Sequence, residues 1–447
     1  MPALPRPIAL VLAAIVGLGA CAVPISAKAQ HVTVQAGLDH ATLPADKKHT
    51  TYLRVALRGQ EGLEPSSRPP MNVAIVIDKS GSMQGKKIEY AKRAARAALD
   101  RLDGRDIVSV VAYDSTVEVL VPATRASDRA TILAGINRLR AGGMTALFAG
   151  TSKGAAEVRK FKDDKTIDRV ILLSDGQANI GPQSPGALAS LGNSLRREGI
   201  GVTTIGMGLD YNEDLMVALA RKSGGNHFFV EDPSQLAQLF REGFGGLASI
   251  VAQEAVVKVT FSEGVRPVRA LGVDADIIGQ TMTTTLAQIY GGEREQILVE
   301  LEVAPREAGS THPIARIEVS YHDVLTQAVD RVETSVAAHF STDAAAIERS
   351  LNREVMVTVV ERLAADKSRL AVQLRDQGKI EEAQRVLHKN KEWLDGEAAR
   401  LGSKRLQRLG ERNAEAADGV EDEKQWNRTR KGIRYDNFAP DYDRANF

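Results

Sequence analysis

Residues 72–77, apolar after Asn72, and 170–173 are continuous apolar runs, the pattern of strands buried on both faces of a sheet. Between them the period becomes helical. Residues 86–102 place Ile88, Ala91, Ala95, Ala98, Leu99 and Leu102 along one stripe. Further helices are predicted over 128–139, with Ser127 as cap, over 148–161, from Ser184-Pro185 onward, and over 215–221. Strands are predicted at 107–113, 117–121, 202–205 and 227–230, the first two joined by a tight Asp114-Ser115 turn. Asp232-Pro233 opens a last helix toward Phe244. A βαβ series with one hairpin implies an α/β fold with a doubly wound, mostly parallel sheet covered by helices on both faces.

On either side the period is two. Residues 31–34 and 52–57 precede the α/β stretch, and 255–261, 297–301 and 314–319 follow it. No helical pattern separates the later strands, so an adjoining β-sandwich is predicted, and the strands before Met71 can complete it. Residues 61–70 read as a polar, proline-rich linker. From Ala344 the chain turns helical: Ile347, Leu351, Val355, Val359 and Leu363 share a face. A break at Gln377-Gly378-Lys379 leads to a second helix through Ile380, Ala383, Leu387 and Leu394, then a third to about residue 417. The tail beyond Gly419 is polar and reads as loose, its Arg428-Thr429-Arg430-Lys431 stretch solvated. Trp426, Tyr435 and Phe438 are its candidates for docking. The organisation expected is a leader over 1–29, a β-rich segment over 30–70 and an α/β domain over 71–245. A sandwich over 250–342, helices over 343–417 and a tail over 418–447 complete it.

Composition narrows the chemistry. With 43% hydrophobic and 26% charged residues among 447, the chain is globular. A net charge of +1 and 4% aromatics offer neither the field nor the stacking surface of a nucleic-acid binder. The single cysteine, Cys21, excludes an intramolecular disulfide and a thiolate zinc site. Arg6 followed by the apolar run 8–20 reads as an export signal, too short for a span of roughly 20 residues. Ala27-Lys28-Ala29 has the form a signal peptidase cuts. Leu18-Gly19-Ala20-Cys21 resembles a lipobox, which would lipidate Cys21. Either places the body outside the cytoplasmic membrane, periplasmic or in the cell envelope; only the second would add a membrane contact, a lipid anchor at Cys21.

Asp78-Lys79-Ser80-Gly81-Ser82 directly follows the first buried strand. Alternate residues there can aim three oxygens at one point, with Gly81 and Gly85 expected to let the backbone bend. Thr145 lies in a Gly-rich loop, and Asp175-Gly176 follows the second buried strand. Ligands of open α/β sheets bind beyond the carboxyl ends of the strands where strand order reverses. If these two strands are neighbours, the Asp78 and Asp175 loops face each other. Oxygen donors of this kind suit a hard divalent cation, magnesium before manganese or calcium.

Asp-x-Ser-x-Ser after the first strand, a Thr in a Gly-rich loop and Asp-Gly after the fourth strand resemble the metal-ion-dependent adhesion site of von Willebrand factor type A domains. That Rossmann-like family includes integrin inserted domains and inter-alpha-trypsin inhibitor heavy chains. The likeness covers about 71–245, including Gly208-Leu209-Asp210-Tyr211-Asn212, and the flanks are similar to bacterial secreted proteins. It implies that Asp78, Ser80, Ser82 and Thr145 approach the ion directly or through water, and Asp175 mostly through water. It also implies that an Asp or Glu of a protein partner completes the shell, and that binding can shift the Thr145 loop and the last helix.

Competing readings follow from the same residues. A metal-dependent hydrolase would need a base beside metal-bound water. Asp114 and Asp210 are the candidates, but Asp114 reads better as a turn residue and Asp210 as a helix cap. His227 reads as structural. No His pair has zincin spacing, the glycines after Gly81 are not a P-loop, and no Gly-x-Ser-x-Gly elbow occurs. The expected function is therefore a metal-dependent protein-binding module rather than an enzyme. A structural envelope protein with a stabilising metal is the alternative.

Overall fold

The computed structural model describes residues 31–61, 68–163, 165–240 and 249–438. Three strands come first, β1 (Val32–Leu38), β2 (Thr42–Pro44) and β3 (His49–Gly59). The α/β region runs β4 (Met71–Asp78), α1 (Lys86–Leu99), β5 (Ile107–Tyr113), β6 (Val117–Arg125), α2 (Arg129–Asn137) and α3 (Leu147–Arg159). It continues with β7 (Ile167–Ser174), α4 (Pro185–Arg197), β8 (Gly201–Met207), α5 (Glu213–Ser223) and β9 (His227–Val230). Its sheet has the order β6-β5-β4-β7-β8-β9, parallel throughout except the β5–β6 hairpin. Every residue of β4 and β7 is buried, as expected of central strands between two helical layers.

Some local expectations shift. Asp128, not Ser127, caps α2, its carboxylate accepting from Thr131 N. Asn212, not Asp210, caps α5 and leaves Asp210 exposed. Gly81 starts a short 3-10 turn (Gly81–Met83), and the positive-φ glycines of the Asp78 and Thr145 loops are Gly85 (φ 79°) and Gly143 (φ 80°). Asp232 caps a 3-10 turn at Pro233–Gln235 that passes into helix through residue 240; the stretch toward Phe244 lies outside the described residues. So do residues 1–29, with both processing motifs and Cys21.

After the α/β region come β10 (Ile250–Phe261), β11 (Val265–Leu271), β12 (Asp276–Ile278), β13 (Thr281–Tyr290), β14 (Arg294–Val303), β15 (Thr311–Asp323) and β16 (Ala328–Ser341). They form two antiparallel-dominated sheets, β1-β3-β14-β11 and β12-β13-β10-β15-β16-β2. The strands before Met71 take part: β3 pairs with β14 from His49↔Val303 to Arg58↔Arg294. Leu53, Val55 and Leu57 of one sheet share a core with Val257, Val259, Ile317 and Val319 of the other.

After β16 come helices α6 (Ala344–Arg349), α7 (Arg353–Asp376), α8 (Ile380–Leu401), α9 (Lys404–Asp418) and α10 (Glu423–Phe438). Among the described residues, no helix is long and apolar enough to cross a membrane. Val355 and Val359 of α7 pack on Leu271 and Leu298 of the four-stranded sheet. Helix α10 corrects the expected loose tail. Trp426 is buried among Ala371, Val372, Leu387 and Ala417. The basic stretch is not solvated: Lys431 is buried, with Nζ 2.6 Å from Glu213 Oε2, 2.8 Å from the Tyr211 carbonyl and 4.3 Å from the Tyr211 ring centre. Arg430 bonds Glu213, Asp214 and Asp376, and Arg428 bonds Glu231. Burial of Lys431 and near-burial of Arg430 are tolerable because each meets a carboxylate of the α/β region or of α7, while Arg428 stays exposed.

Candidate metal site

β4 and β7 are neighbours, in parallel register from Met71↔Ile167 to Ile77↔Leu173. Their carboxyl ends therefore place Asp78 beside Ser174 and Asp175, at the point where the strand order turns from β5 to β7. Met83, fully buried, anchors the intervening loop in the core.

Asp78 is buried completely. Its Oδ1 accepts from Ser80 N at 2.8 Å, and its Oδ2 accepts from Ser174 Oγ at 2.7 Å. Ser80 Oγ and Ser82 Oγ lie 3.0 Å apart, and Ser82 Oγ donates to Asp175 Oδ1 at 2.7 Å. Lys87, in the first turn of α1, donates to the other oxygen of Asp175 at 2.5 Å.

Thr145 arrives from a third segment. Its N–H donates to Asn179 Oδ1 at 2.7 Å, and its carbonyl accepts from Asn179 N at 3.1 Å. Gly81 N donates to the Gly143 carbonyl at 3.0 Å and Gly142 N to the Lys79 carbonyl at 2.7 Å, which ties this loop to the Asp78 loop. Gly176 shows where the side chains converge. A Cβ built there would stand 3.4 Å from Ser82 Oγ, 3.5 Å from Thr145 Oγ1 and 3.9 Å from Ser80 Oγ. Three hydroxyls from two segments thus border the space that this glycine leaves open beside Asp175.

The donor set is all oxygen: two fully buried carboxylates and three hydroxyls. Burial pushes the Asp78 carboxyl up to about 6 despite hydrogen bonds from Ser80 and Ser174, and the Asp175 charge adds to that push. Two like charges out of water call for a compensating cation, so these residues fit a hard divalent ion. Asp78, Ser80, Ser82, Thr145 and Asp175 would hold it.

Ser174, Asn179 and Lys87 are contributors that the motif alone does not reveal. Ser174 precedes the motif aspartate and ends a strand, a signal open to inspection; Asn179 and Lys87 become relevant only through loop packing. Asp114 is a turn residue, accepting from Thr116 N at 2.8 Å and from Lys79 Nζ at 2.6 Å. Partial burial pulls its carboxyl upward, but Lys79 and Thr116 outweigh this and hold it below the ordinary carboxylate range. His227 is buried, with Nδ1 2.9 Å from Thr204 Oγ1 and Nε2 3.3 Å from the Tyr211 hydroxyl.

Residues 72–242 match the von Willebrand factor type A domain. The chain is 31% identical over 198 residues, 44% of its length and 46% of the relative's, to an uncharacterised protein of Synechocystis sp.. It is 26% identical over 284 residues, 61% of this chain and 36% of the relative, to the E3 ubiquitin-protein ligase WAV3 of Arabidopsis thaliana. It is 27% identical over 184 residues, 39% of this chain and 20% of the relative, to inter-alpha-trypsin inhibitor heavy chain H3 of Rattus norvegicus. In each case the match spans less than half of the curated relative. Among solved structures, a von Willebrand factor type A protein from Catenulispora acidiphila superposes with a TM-score of 0.68 at 19% identity. It covers 86% of this chain and 91% of its own, a likeness of fold.

Proposed function

We propose that this chain, whose residues 72–242 form a von Willebrand factor type A domain, is a metal-dependent protein-binding module of the cell envelope. Such domains are commonly protein-interaction modules, as the likeness to the inter-alpha-trypsin inhibitor heavy chains supports. The observation that carries the metal dependence is the convergence of the Ser80, Ser82 and Thr145 hydroxyls on the space beside Gly176, against two buried carboxylates. A divalent ion, magnesium first, would bring Lewis acidity to that point. Neutral hydroxyls donate weakly, so the ion keeps its appetite for an outside carboxylate, and the partner presents Asp or Glu. The chain's own residues orient that exchange. Asn179 fixes the Thr145 backbone, and Ser174 and the Ser80 N–H fix the Asp78 carboxylate. A hydrolytic role is disfavoured because Asp114, one candidate base, is already bonded to Lys79 and Thr116, and Asp210, the other, is exposed. The envelope location rests on the apolar run 8–20 and the small-residue motif ending at Ala29.

The test is capture from envelope extracts by the purified protein in magnesium and in EDTA, with Asp78→Ala alongside. A partner held only by the unmodified protein with metal is expected. Capture indifferent to EDTA and to Asp78→Ala would remove the metal site from recognition.

A further inference from the structure

Lys87 is placed against elementary helix electrostatics. It lies in the first turn of α1, where the backbone dipole disfavours a cation, and Gly85 supplies no side-chain cap there. An unpaired lysine at that place costs stability. Lys87 is instead paired, with Nζ 2.5 Å from Asp175 Oδ2, and it is 28% exposed while Asp175 is fully buried. The two oxygens of Asp175 divide their roles: one accepts from Ser82 in the hydroxyl cluster and the other from Lys87 behind it. The neighbouring lysine, Lys79, is bonded to Asp114, outside the proposed ligand set.

We propose that Lys87 is the built-in counter-charge of the metal site: it holds Asp175 in position before an ion arrives and weakens the ion's binding. This rests on the metal-site reading above. Asp78, Asp175 and Lys87 together leave the cluster with one net negative charge, and a divalent ion turns it to one net positive. The loaded site then needs an anion to become neutral, which favours a carboxylate over a neutral carbonyl as the partner's donor. Without Lys87 the two carboxylates would neutralise the ion alone, binding it more tightly and leaving less pull on an acidic ligand.

The probe is the metal itself. Magnesium and manganese are titrated calorimetrically into the intact protein, Lys87→Met, Lys87→Gln and Lys87→Arg, and each is melted in EDTA. Lys87→Met and Lys87→Gln are expected to bind metal about tenfold tighter, the scale of one charge a few ångströms from a divalent ion in a partly exposed site. Both should melt lower in EDTA, and Lys87→Arg should match the unmodified protein on both readouts. A lysine that merely braced the fold would not tighten metal binding when removed. Metal binding by the unmodified protein with equal or weaker affinity in both neutral variants overturns the inference alone. No metal binding by any of the four proteins overturns the metal-site reading, and this inference with it.

Discussion

The carboxyl edge of the parallel sheet carries two acidic pairs that are met in opposite ways. Glu213 and Asp214, at the start of α5 after β8, are answered by Arg430, Lys431 and Arg434 of α10, with Glu213 and Lys431 both buried. Asp78 and Asp175, after β4 and β7, are more deeply buried, yet they are answered by hydroxyls, a backbone N–H and one partly exposed lysine. The first pair is saturated with cations and fastens the C-terminal helix to the α/β region. The second is under-compensated, and that shortfall is what the proposed ion would fill. Burial of acid does not by itself distinguish a clasp from a ligand site; the balance of charge around it does.

The largest expected effect falls on the saturated pair. Lys431→Met leaves Glu213 buried with Arg430 as its remaining cation and also removes the contact with the Tyr211 ring. Stability should fall by about 3 kcal/mol, the scale of breaking a buried pair. Tryptophan fluorescence in a urea titration reads it, since Trp393 lies in α8 and Trp426 in α10. A loss below about 0.5 kcal/mol would place this contact with surface pairs and undo the contrast.

Next comes the under-compensated pair. Gly176→Ala meets the three hydroxyls only at ordinary contact distance, so it should fold as well as the unmodified protein in EDTA. Its methyl intrudes on the space the ion would need. Magnesium at a hundred times its dissociation constant should stabilise the unmodified protein by about 2.7 kcal/mol and Gly176→Ala by almost nothing. Equal thermal shifts for both proteins would show that the ion, if bound, sits elsewhere.

The smallest effect, over the accessible window from pH 6.5 to 5, is a pH slope at the clasp. Burial drives the pKa of His227 down to about 3 from its ordinary 6.5, and the Lys431 charge adds to the drop. The unfolded chain therefore takes up the proton first as pH falls. The stability tied to neutral His227 is complete above 6.5 and is lost toward 3, at about 1.4 kcal/mol per pH unit. His227→Phe should lose stability less steeply between pH 6.5 and 5 in paired denaturation curves. Parallel slopes for the two proteins would refute that assignment.

The two regions also differ in how far the sequence discloses them. The proposed ligand set around Asp78 is legible because its two carboxylates sit at strand ends with their own signature, a mostly apolar run and then Asp-x-Ser-x-Ser or Asp-Gly. Helix α10 is illegible because residues 420–438 are mostly polar and local hydropathy reads them as solvated. Their partners, Glu213 and Asp214, lie more than 200 residues earlier in the chain. β11, β12, β13 and β16 escape the sequence pattern among the later strands for a related reason. Stretches such as Thr281–Tyr290 hide a buried Met282, Thr284 and Ile289 among polar neighbours, and pairing with β10 decides which face is inside.

The sequence by itself determined the alternating α/β order, the return to strands, the helical end and the five oxygen-bearing positions. These depend on periodicity and on short motifs, which neighbouring residues specify. Tertiary structure alone decided that β4 lies against β7, that Asn179 clamps Thr145, that Lys87 meets Asp175, and that a basic tail becomes a buried clasp. Each of these depends on whether a charge or hydroxyl finds its complement across the fold, and such pairing energies belong to separations in space that chain order does not encode.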